Sequence, residues 1–264
     1  MVPPVMTQRN YGKIYLTLMI LVFAGLVLLR TDLVTGAWNA TLASLSAGWG
    51  PGLKVIFEIV LFAYILFLTA RALSLAAAPA KDCLIVLMVS CSGYLAETWG
   101  THSGLWTYYT GEKPPLWIIP AWSMGALVVK NIAHRAGETG GVLANLNSDR
   151  LYRAWVVLFY CIFIPFIAAK LSAAECILPV VLTAAVLFPG REHRKRDISV
   201  LFAGAFCVVW ADLWGTTNHC WTYHTQTARF GTAYGILFGI VFDSVIVLAG
   251  IKIAGSLRRI FARP

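Results

Sequence analysis

Two short stretches of this 264-residue sequence closely resemble each other. Residues 96–110 read AETWGTHSGLWTYYT, and residues 211–225, at an offset of 115, read ADLWGTTNHCWTYHT. Eight of the fifteen aligned positions are identical, and the second position of each stretch is an acid, Glu97 or Asp212. Because tryptophan is a rare residue, two aligned tryptophan pairs are very improbable by chance. The match indicates an internal repeat with a carboxyl group at the same place in each copy.

The sequence around these motifs is too apolar for a soluble protein. It is 59% hydrophobic and 12% charged, with a mean hydropathy of +0.73, whereas soluble domains carry about 25% charged and about 45–50% apolar residues. A run of roughly 17–25 apolar residues crosses the hydrocarbon core of a bilayer. We therefore expect an all-α, polytopic integral membrane protein with about eight transmembrane helices. The apolar runs lie near residues 12–30, 53–71, 82–98, 115–131, 154–170, 173–189, 198–214 and 231–251.

The offset of 115 also relates these predicted spans, because it places the second on the sixth and the fourth on the eighth. Both copies would then begin on the same side of the membrane, as parallel repeats related by an axis along the membrane normal do. We predict a single transmembrane domain, residues 1–264, made of two parallel four-helix repeats at about 12–131 and 154–254. Such an axis could bring Glu97 and Asp212 to face one another across a shared cavity.

The basic residues predict an orientation. The net charge is +9, and 16 of the 21 Lys and Arg residues fall on one side of the membrane if both termini are cytoplasmic. This bias follows the positive-inside rule. It predicts a multi-pass protein of the cytoplasmic (inner) membrane with both repeat motifs toward the outer face. Because the charges lie in short loops between apolar runs, we expect contact with membrane lipid and no nucleic-acid partner.

The motifs suggest acid catalysis on an apolar substrate. Seven of the ten tryptophans fall in or beside them, so Glu97 and Asp212 are acids in an aromatic, poorly hydrated setting. Such a setting disfavours the ionised carboxyl group and makes it a proton donor. Indole and phenol faces stabilise a nearby cation by about 0.5–2 kcal/mol each. An acid and an aromatic lining are what protonation of an alkene requires, since a carbocation forms and must be stabilised until it is quenched.

We therefore expect a lipophilic small-molecule substrate, with Glu97 protonating the double bond and Asp212 orienting water or accepting the proton. A third acid, Asp243, lies near the middle of the eighth predicted span, where burial is costly and usually functional. Its alternative role is as a partner of a Ser or Thr on a neighbouring helix. The candidate catalytic residues are Glu97, Asp212, His102, His219 and His224, the histidines tuning the acids. The candidate substrate-binding residues are Trp99, Trp106, Tyr108, Trp122, Trp214, Trp221, Tyr223 and Asp243.

The first motif and the residues after it also carry a family resemblance. The pattern is Glu97-x2-Gly100-x3-Gly104-x-Trp106-x-Tyr108-Tyr109, then Pro115 and Pro120-x-Trp122. It resembles the E-x2-G…G-x-[FW]-x-Y-x-Y…P…P…W pattern of the CruF-type carotenoid hydratases. The resemblance implies a multi-span enzyme of carotenoid biosynthesis that adds water across the terminal double bond of an acyclic carotenoid. It also implies a proton-donor role for Glu97 and a lining role for Trp106 and Tyr108.

Other readings stay open from the residues alone. Glu97, His102, Asp212, His219 and His224 offer the carboxylates and imidazoles that zinc and non-haem iron use, so a metal-dependent enzyme is an alternative to one without a cofactor. Parallel halves with central acids also suit a transporter or an accessory subunit that binds a small ligand. The tryptophans and tyrosines could instead form an interfacial aromatic belt. Hydration or isomerisation, and assembly as a homo-oligomer or within a membrane complex, are not distinguished.

Overall fold

The computed structural model describes residues 8–73, 78–137, 148–188, 193–229 and 231–261. In these ranges the chain forms nine α-helices and two three-residue strands. Both chain ends lie outside the described residues, and so does the prediction that both are cytoplasmic. The helices are α1 (Gln8–Leu29), α2 (Thr31–Ser46), α3 (Trp49–Leu73), α4 (Pro79–His102), α5 (Ile119–Gly137), α6 (Ser148–Ala168), α7 (Ala173–Leu187), α8 (Arg194–Thr217) and α9 (Gly231–Phe261). The strands are β1 (Trp106–Tyr108) and β2 (Trp221–Tyr223).

Seven of the described helices are long and apolar enough to cross a membrane, and each overlaps one of the predicted spans. The exception is the sixth predicted span, which forms the 15-residue helix α7. At about 1.5 Å per residue, this helix is shorter than the roughly 30 Å of a hydrocarbon core. Helix α2 was not predicted, because its 16 residues include Asp32, Asn39 and several hydroxyl side chains and show no apolar run.

The helices form two compact units, one with α1–α3 and the other with α4–α9. In the first unit α2 packs on α3 and α1 contacts both, while large apolar side chains such as Leu29 and Phe57 are exposed. In the second unit four helices form a ring in the order α4–α5–α8–α9, each packed against the next and α9 against α4. Helix α6 packs on α8 and α9, and α7 packs on α6 and α9. The four helices therefore enclose an interior space, and acidic and aromatic side chains of the two motifs line it.

A stack of aromatic side chains joins α6 to α9 inside the second unit. Phe166 lies parallel to Phe238 with ring centroids 3.6 Å apart, and Phe238 lies parallel to Phe242 at 5.1 Å. All three residues are at most 3% exposed. Aromatic pairs of this kind add about 0.5–1.5 kcal/mol each beyond the area that they bury. This stack fixes α9 against the rest of the core, and α9 carries Asp243.

Two buried ion pairs close one end of the ring. Lys130 of α5 lies 2.6 Å from Asp82 at the start of α4, and Lys252 of α9 lies 2.6 Å from Asp197 at the start of α8. Both aspartates are at most 2% exposed. They stand 115 residues apart, at the offset that aligns the motifs. Removing one partner of a buried ion pair costs about 3–5 kcal/mol, because the other charge stays buried. These pairs therefore stabilise the end of the ring opposite the strands.

The two strands pair at the other end of the ring. β1 and β2 run antiparallel with Trp106 opposite Tyr223, Thr107 opposite Thr222 and Tyr108 opposite Trp221. The central pair, Thr107 and Thr222, is itself separated by 115 residues. One strand follows α4 and the other follows α8, so the small sheet joins the ends of two helices on opposite sides of the ring.

A sharp turn between helix and strand recurs in each motif. Gly104 has φ +65° and His219, at the equivalent position, has φ +56°, in the left-handed region that glycine adopts freely and histidine tolerates better than most residues. The turn folds the indole of each motif back over its own helix. A Cβ on Gly100 would overlap Trp106, and one on Gly215 would overlap Trp221. The turn thus requires a glycine where each tryptophan folds back onto its helix, which explains the W-G…W spacing of the motif.

Candidate functional site

A cavity of about 180 Å³ lies inside the ring, beneath the two strands. All four ring helices and both strands contribute to its wall. Most of the wall is apolar or aromatic, and three carboxyl groups line it: Glu97 from α4, Asp212 from α8 and Asp243 from α9. Glu97 and Asp212, which the repeat aligned, thus share one cavity. The three acids differ sharply in their hydrogen-bond partners.

Glu97 is surrounded by hydrogen-bond donors. Its Oε2 accepts from the Trp106 Nε1–H at 3.0 Å and from the Tyr108 hydroxyl at 2.9 Å. Its Oε1 accepts from the Trp122 Nε1–H at 3.3 Å. Indole nitrogens can only donate, and an ionised carboxylate can only accept. With both oxygens engaged and the residue 5% exposed, these donors hold the Glu97 carboxyl group in a fixed orientation.

Asp212 accepts from the tyrosine of its own motif, as Glu97 does, but it has no counterpart of the Trp122 donor. Its Oδ1 accepts from the Tyr223 hydroxyl at 3.0 Å, as Glu97 accepts from Tyr108. The Trp221 side chain also approaches this carboxyl group, yet Oδ2 has no hydrogen-bond partner among the described residues. The residue is 3% exposed. A buried oxygen without a partner costs about 1–3 kcal/mol, a cost that the Glu97 oxygens, which all accept from described donors, do not carry.

The reason for the missing partner is visible on α9. Where α5 supplies the Trp122 indole to Glu97, α9 passes Asp212 with Gly239. A Cβ at Gly239 would overlap both the Asp212 carboxyl group and the Tyr223 hydroxyl. The glycine therefore allows the backbone of α9 to approach closely, and it brings no donor.

Asp243 lies one helical turn beyond Gly239 on α9 and faces the cavity. No hydrogen bond or ion pair joins its carboxyl group to a described side chain or backbone group. It interacts electrostatically with Asp212 and Glu97. Among the described residues no Ser or Thr of a neighbouring helix hydrogen-bonds to Asp243, and Ser244 beside it donates to the Ile240 carbonyl oxygen within α9.

The comparisons give no relative. Searches against protein-family models, curated proteins and solved structures find no match for this chain. The family resemblance of the first motif therefore stays a prediction, and function must be inferred from the cavity.

The two strand tyrosines are donors that keep their protons. Burial raises the pKa of Tyr108 well above 10, and the neighbouring Glu97 carboxylate raises it further. Burial and the Asp212 carboxyl group do the same to the pKa of Tyr223. A phenol with a raised pKa remains protonated throughout the neutral range, so each tyrosine is a permanent donor to the acid of its own motif.

The three candidate histidines lie outside the cavity wall. His102 is exposed and its Nδ1–H donates to the Thr98 carbonyl oxygen at 2.9 Å. His219 is exposed at the left-handed turn. His224 donates from Nε2 to the Phe166 carbonyl oxygen at 3.0 Å, and partial burial lowers its pKa. Among the described residues no three His, Cys, Asp or Glu side chains converge as metal ligands. The histidines and acids of the metal alternative are therefore not brought together.

The predicted aromatic residues divide into two groups. Trp106, Tyr108, Trp122, Trp221 and Tyr223 line the cavity. Trp99 instead packs behind it, against Trp106, Phe163 and Phe242, and Trp214 is 39% exposed.

Sequence reasoning missed several residues of the site. Phe238 and Phe242 line the cavity together with Cys207 and Val208. Their only sequence signal is helical spacing, since Phe238 and Phe242 are four residues apart, as are Val208 and Asp212. Glu112 was also missed: it accepts from Trp117 Nε1 at 2.7 Å, and Trp117 packs on Tyr108. Glu112 therefore orders the loop that supports the strand from outside.

Proposed function

We propose that this chain is an integral-membrane enzyme that protonates a carbon–carbon double bond of an isoprenoid or carotenoid substrate, as a hydratase or an isomerase. The observation that carries this proposal is that three carboxyl groups on one aromatic-lined cavity accept different numbers of hydrogen bonds. Glu97 accepts three hydrogen bonds, Asp212 accepts one and Asp243 accepts none. Groups of one chemical type in such different surroundings can divide the roles of acid and base.

This difference in hydrogen bonding changes the role expected for Glu97. Its two oxygens already accept from two indoles and a phenol, so the fixed carboxylate is suited to balance positive charge in the cavity rather than to give up a proton. Asp243 has no donor that stabilises its ionised form, and its carboxyl group faces the cavity. We assign the proton-donor role to Asp243 and the role of water-orienting base to Asp212, whose Oδ2 lacks a partner.

The reaction balances with water as the only co-substrate. The Asp243 O–H proton adds to the less substituted carbon of the double bond, and the π electrons leave a carbocation on the more substituted carbon. A water oxygen attacks that carbon, and the proton it loses passes to the Asp212 carboxylate. Transfer of this proton back to Asp243 through water restores the enzyme. If a base instead removes a proton from the neighbouring carbon, the product is a double-bond isomer.

The lining stabilises the cation that this step requires. Trp106 and Tyr108 come from one motif and Trp221 and Tyr223 from the other, and all four reach the cavity. Each aromatic face stabilises a cation by about 0.5–2 kcal/mol, with the larger value in a desolvated site. Placing the Glu97 carboxylate beside the same space adds an electrostatic contribution that strengthens where water is excluded.

The size of the cavity and the family resemblance support the substrate class. Pockets that enclose a whole drug-sized ligand occupy roughly 300–1,000 Å³, whereas this one measures about 180 Å³. It therefore suits the branched end of a long hydrocarbon chain. The pattern that starts at Glu97 resembles that of the CruF-type carotenoid hydratases, which act on the terminal double bond of such chains.

We further propose two parallel repeats in the cytoplasmic membrane, with eight crossing helices and the motifs at the outer face. The symmetric strand pairing and the equivalent ion pairs support the repeat. Crossing by α7 is supported at its end, where the Leu187 carbonyl oxygen accepts from Tyr152 near the start of α6. This contact brings the end of α7 close to the first turns of α6, which supports the crossing although α7 has only 15 residues.

Isotope labelling tests the reaction. The purified protein is incubated with an acyclic carotenoid in deuterated water, and the product is analysed by mass spectrometry. A hydratase gives a product heavier by one water with one carbon-bound deuterium, and an isomerase gives deuterium at carbon without added oxygen. An unlabelled, unchanged polyene would contradict the proposal. Where the wild type incorporates deuterium, Glu58→Gln should incorporate it equally, because this acid of α3 does not line the cavity.

A second candidate, transport of a small ligand or ion, is favoured by one observation: Asp243 is an unpaired acid within a membrane span. Proton-driven uptake into liposomes that is lost in Asp243→Asn, with no change in any added polyene, would support transport over catalysis. Elemental analysis of the same preparation tests the metal-dependent alternative.

A further inference from the structure

Three of the four seams of the ring are closely packed. At each one a glycine lets the neighbouring helix approach so closely that an added Cβ would press into it. The contacts, measured from a Cβ built on the glycine, are Gly93 to Trp122 at 2.5 Å (α4–α5), Gly250 to Val89 at 2.6 Å (α9–α4) and Gly204 to Ser244 at 3.1 Å (α8–α9). No apolar chain can pass through these seams without separating the helices.

The fourth seam, between α5 and α8, is open next to the cavity. A Cβ built on Gly125 meets no atom within 4 Å, although Gly125 lines the cavity. Ala121 and Ala211 also line the cavity, and both are exposed. Exposed residues in the wall of a cavity indicate where that cavity is open. Toward the ion-pair end the seam closes again, where a Cβ on Gly137 would be in ordinary contact with Ser199 at 3.5 Å.

A buried oxygen without a hydrogen bond to the described residues lies on the same cavity as this opening. Asp212 follows Ala211 in the chain, its Oδ2 is buried without a hydrogen bond, and it lines the same cavity. Small residues at a helix seam normally allow tight packing, so an unfilled seam that leads to such a group points to a ligand that passes or occupies it.

We propose that the gap between α5 and α8, at Gly125, Ala121 and Ala211, is a lateral portal through which the end of an isoprenoid chain enters the cavity from the bilayer. Both helices are long and apolar enough to cross a membrane, so a gap between them would open toward hydrocarbon. The polar groups beyond it include three acids, which would repel a phosphate headgroup and accept an uncharged double bond. The proposal rests on the proposed function only for the chemistry of the chain.

Cross-linking with a photoreactive probe tests the portal without requiring turnover. The probe is a diazirine-bearing geranylgeraniol in liposomes, and labelled peptides are located by mass spectrometry. In Gly125→Leu the side chain enters the open space at the gap and should reduce labelling of Cys207 and Val208 at least tenfold. The matched control is Gly255→Leu on α9, which also has no atom within 4 Å of an added Cβ and should label like the wild type. Ala121→Leu provides a second obstruction at the rim.

The outcomes separate the portal from the proposed function. Loss of cavity labelling in both portal variants, with normal labelling in Gly255→Leu, supports the portal even if no substrate is turned over. Unchanged labelling of Cys207 and Val208 in correctly folded Gly125→Leu and Ala121→Leu overturns it. Equal competition by a saturated C20 alcohol would also overturn it, because the gap would then be a general lipid site rather than an isoprenoid entrance.

Discussion

The two motifs place an acid, a tryptophan and a tyrosine in matching positions, yet the environments of the two acids differ. In the first motif the neighbouring helix α5 adds the Trp122 donor to Glu97. In the second, the neighbouring helix α9 passes Asp212 with Gly239 and presents Asp243 one turn later. The comparison teaches that a repeated motif does not imply a repeated role. The helix that follows each motif determines whether its acid is fully bonded or left with a free oxygen.

The largest effect expected from this difference is at Asp243. Asp243→Asn removes the proposed proton donor without breaking any hydrogen bond of the described residues. General acid catalysis contributes about 10²–10⁴ in rate, so we expect turnover of an acyclic carotenoid to fall about 10³-fold while the thermal unfolding midpoint stays unchanged. Turnover within threefold of the wild type would remove Asp243 from the mechanism. Glu58→Gln serves as the control for substitution of an intramembrane acid.

The second effect concerns Asp212. In Asp212→Asn the side-chain carbonyl oxygen can still accept from Tyr223, while the amide group replaces the oxygen that lacks a partner. We expect about a 10²-fold loss of turnover, because a neutral amide cannot take the proton from water, and a midpoint within about 2 °C of the wild type. The measurement is turnover together with thermal unfolding in the same detergent. A destabilised but active protein would reverse the assignment.

The third effect should appear in stability. Glu97→Gln replaces one acceptor by an amide that donates, so at least one of the three donors around Glu97 loses its partner. An unsatisfied buried polar group costs about 1–3 kcal/mol, and each kcal/mol lowers the midpoint by about 2–4 °C in a domain of this size. We expect a clear drop of the midpoint, measured by differential scanning fluorimetry. If Glu97→Gln and Asp212→Asn lower it equally, the two acids are not differently bonded.

The smallest expected effect concerns Trp122, the donor that makes the environments of the two acids differ. Trp122→Phe keeps an aromatic ring against Gly93 but removes the donor to Glu97, which leaves Glu97 bonded much as Asp212 is. Removing a hydrogen bond to a charged group costs about 1.5–3 kcal/mol at most, and the 3.3 Å separation here places the loss near the lower value. We expect a midpoint drop smaller than that of Glu97→Gln. A larger drop would mean that Trp122 acts mainly through packing.

The sequence predicted the parts of the fold that depend on composition and repetition. Apolar runs identified the seven long helices, since hydrocarbon thickness fixes their length. The period of 115 identified Glu97 and Asp212 as a related pair, and both line the cavity. The intramembrane position of Asp243 singled it out as costly to bury, and it also lines the cavity.

Other features depend on how helices pack, which a single sequence does not display. The donor set of Glu97 requires α5 to lie beside α4 with Trp122 turned inward, and nothing in the first motif specifies that. The histidines stand within the motifs, but the turns at Gly104 and His219 direct them away from the cavity wall. The sixth predicted span, residues 173–189, is a helix of 15 residues that ends at Leu187, so the eighth crossing is a proposal.

The strand pair has one further consequence. Each half contributes a single three-residue strand, and the lone strand of one half has no partner within that half. Under the proposed duplication, an ancestor with one copy of the motif would have formed the strand pair only by binding a second identical chain. The residue equivalent to Thr107 would then have met its own copy across the twofold axis. Fusion of the two genes would then free each half from the constraint of identity, and a tryptophan on α5 with an aspartate on α9 is the kind of difference that such freedom allows.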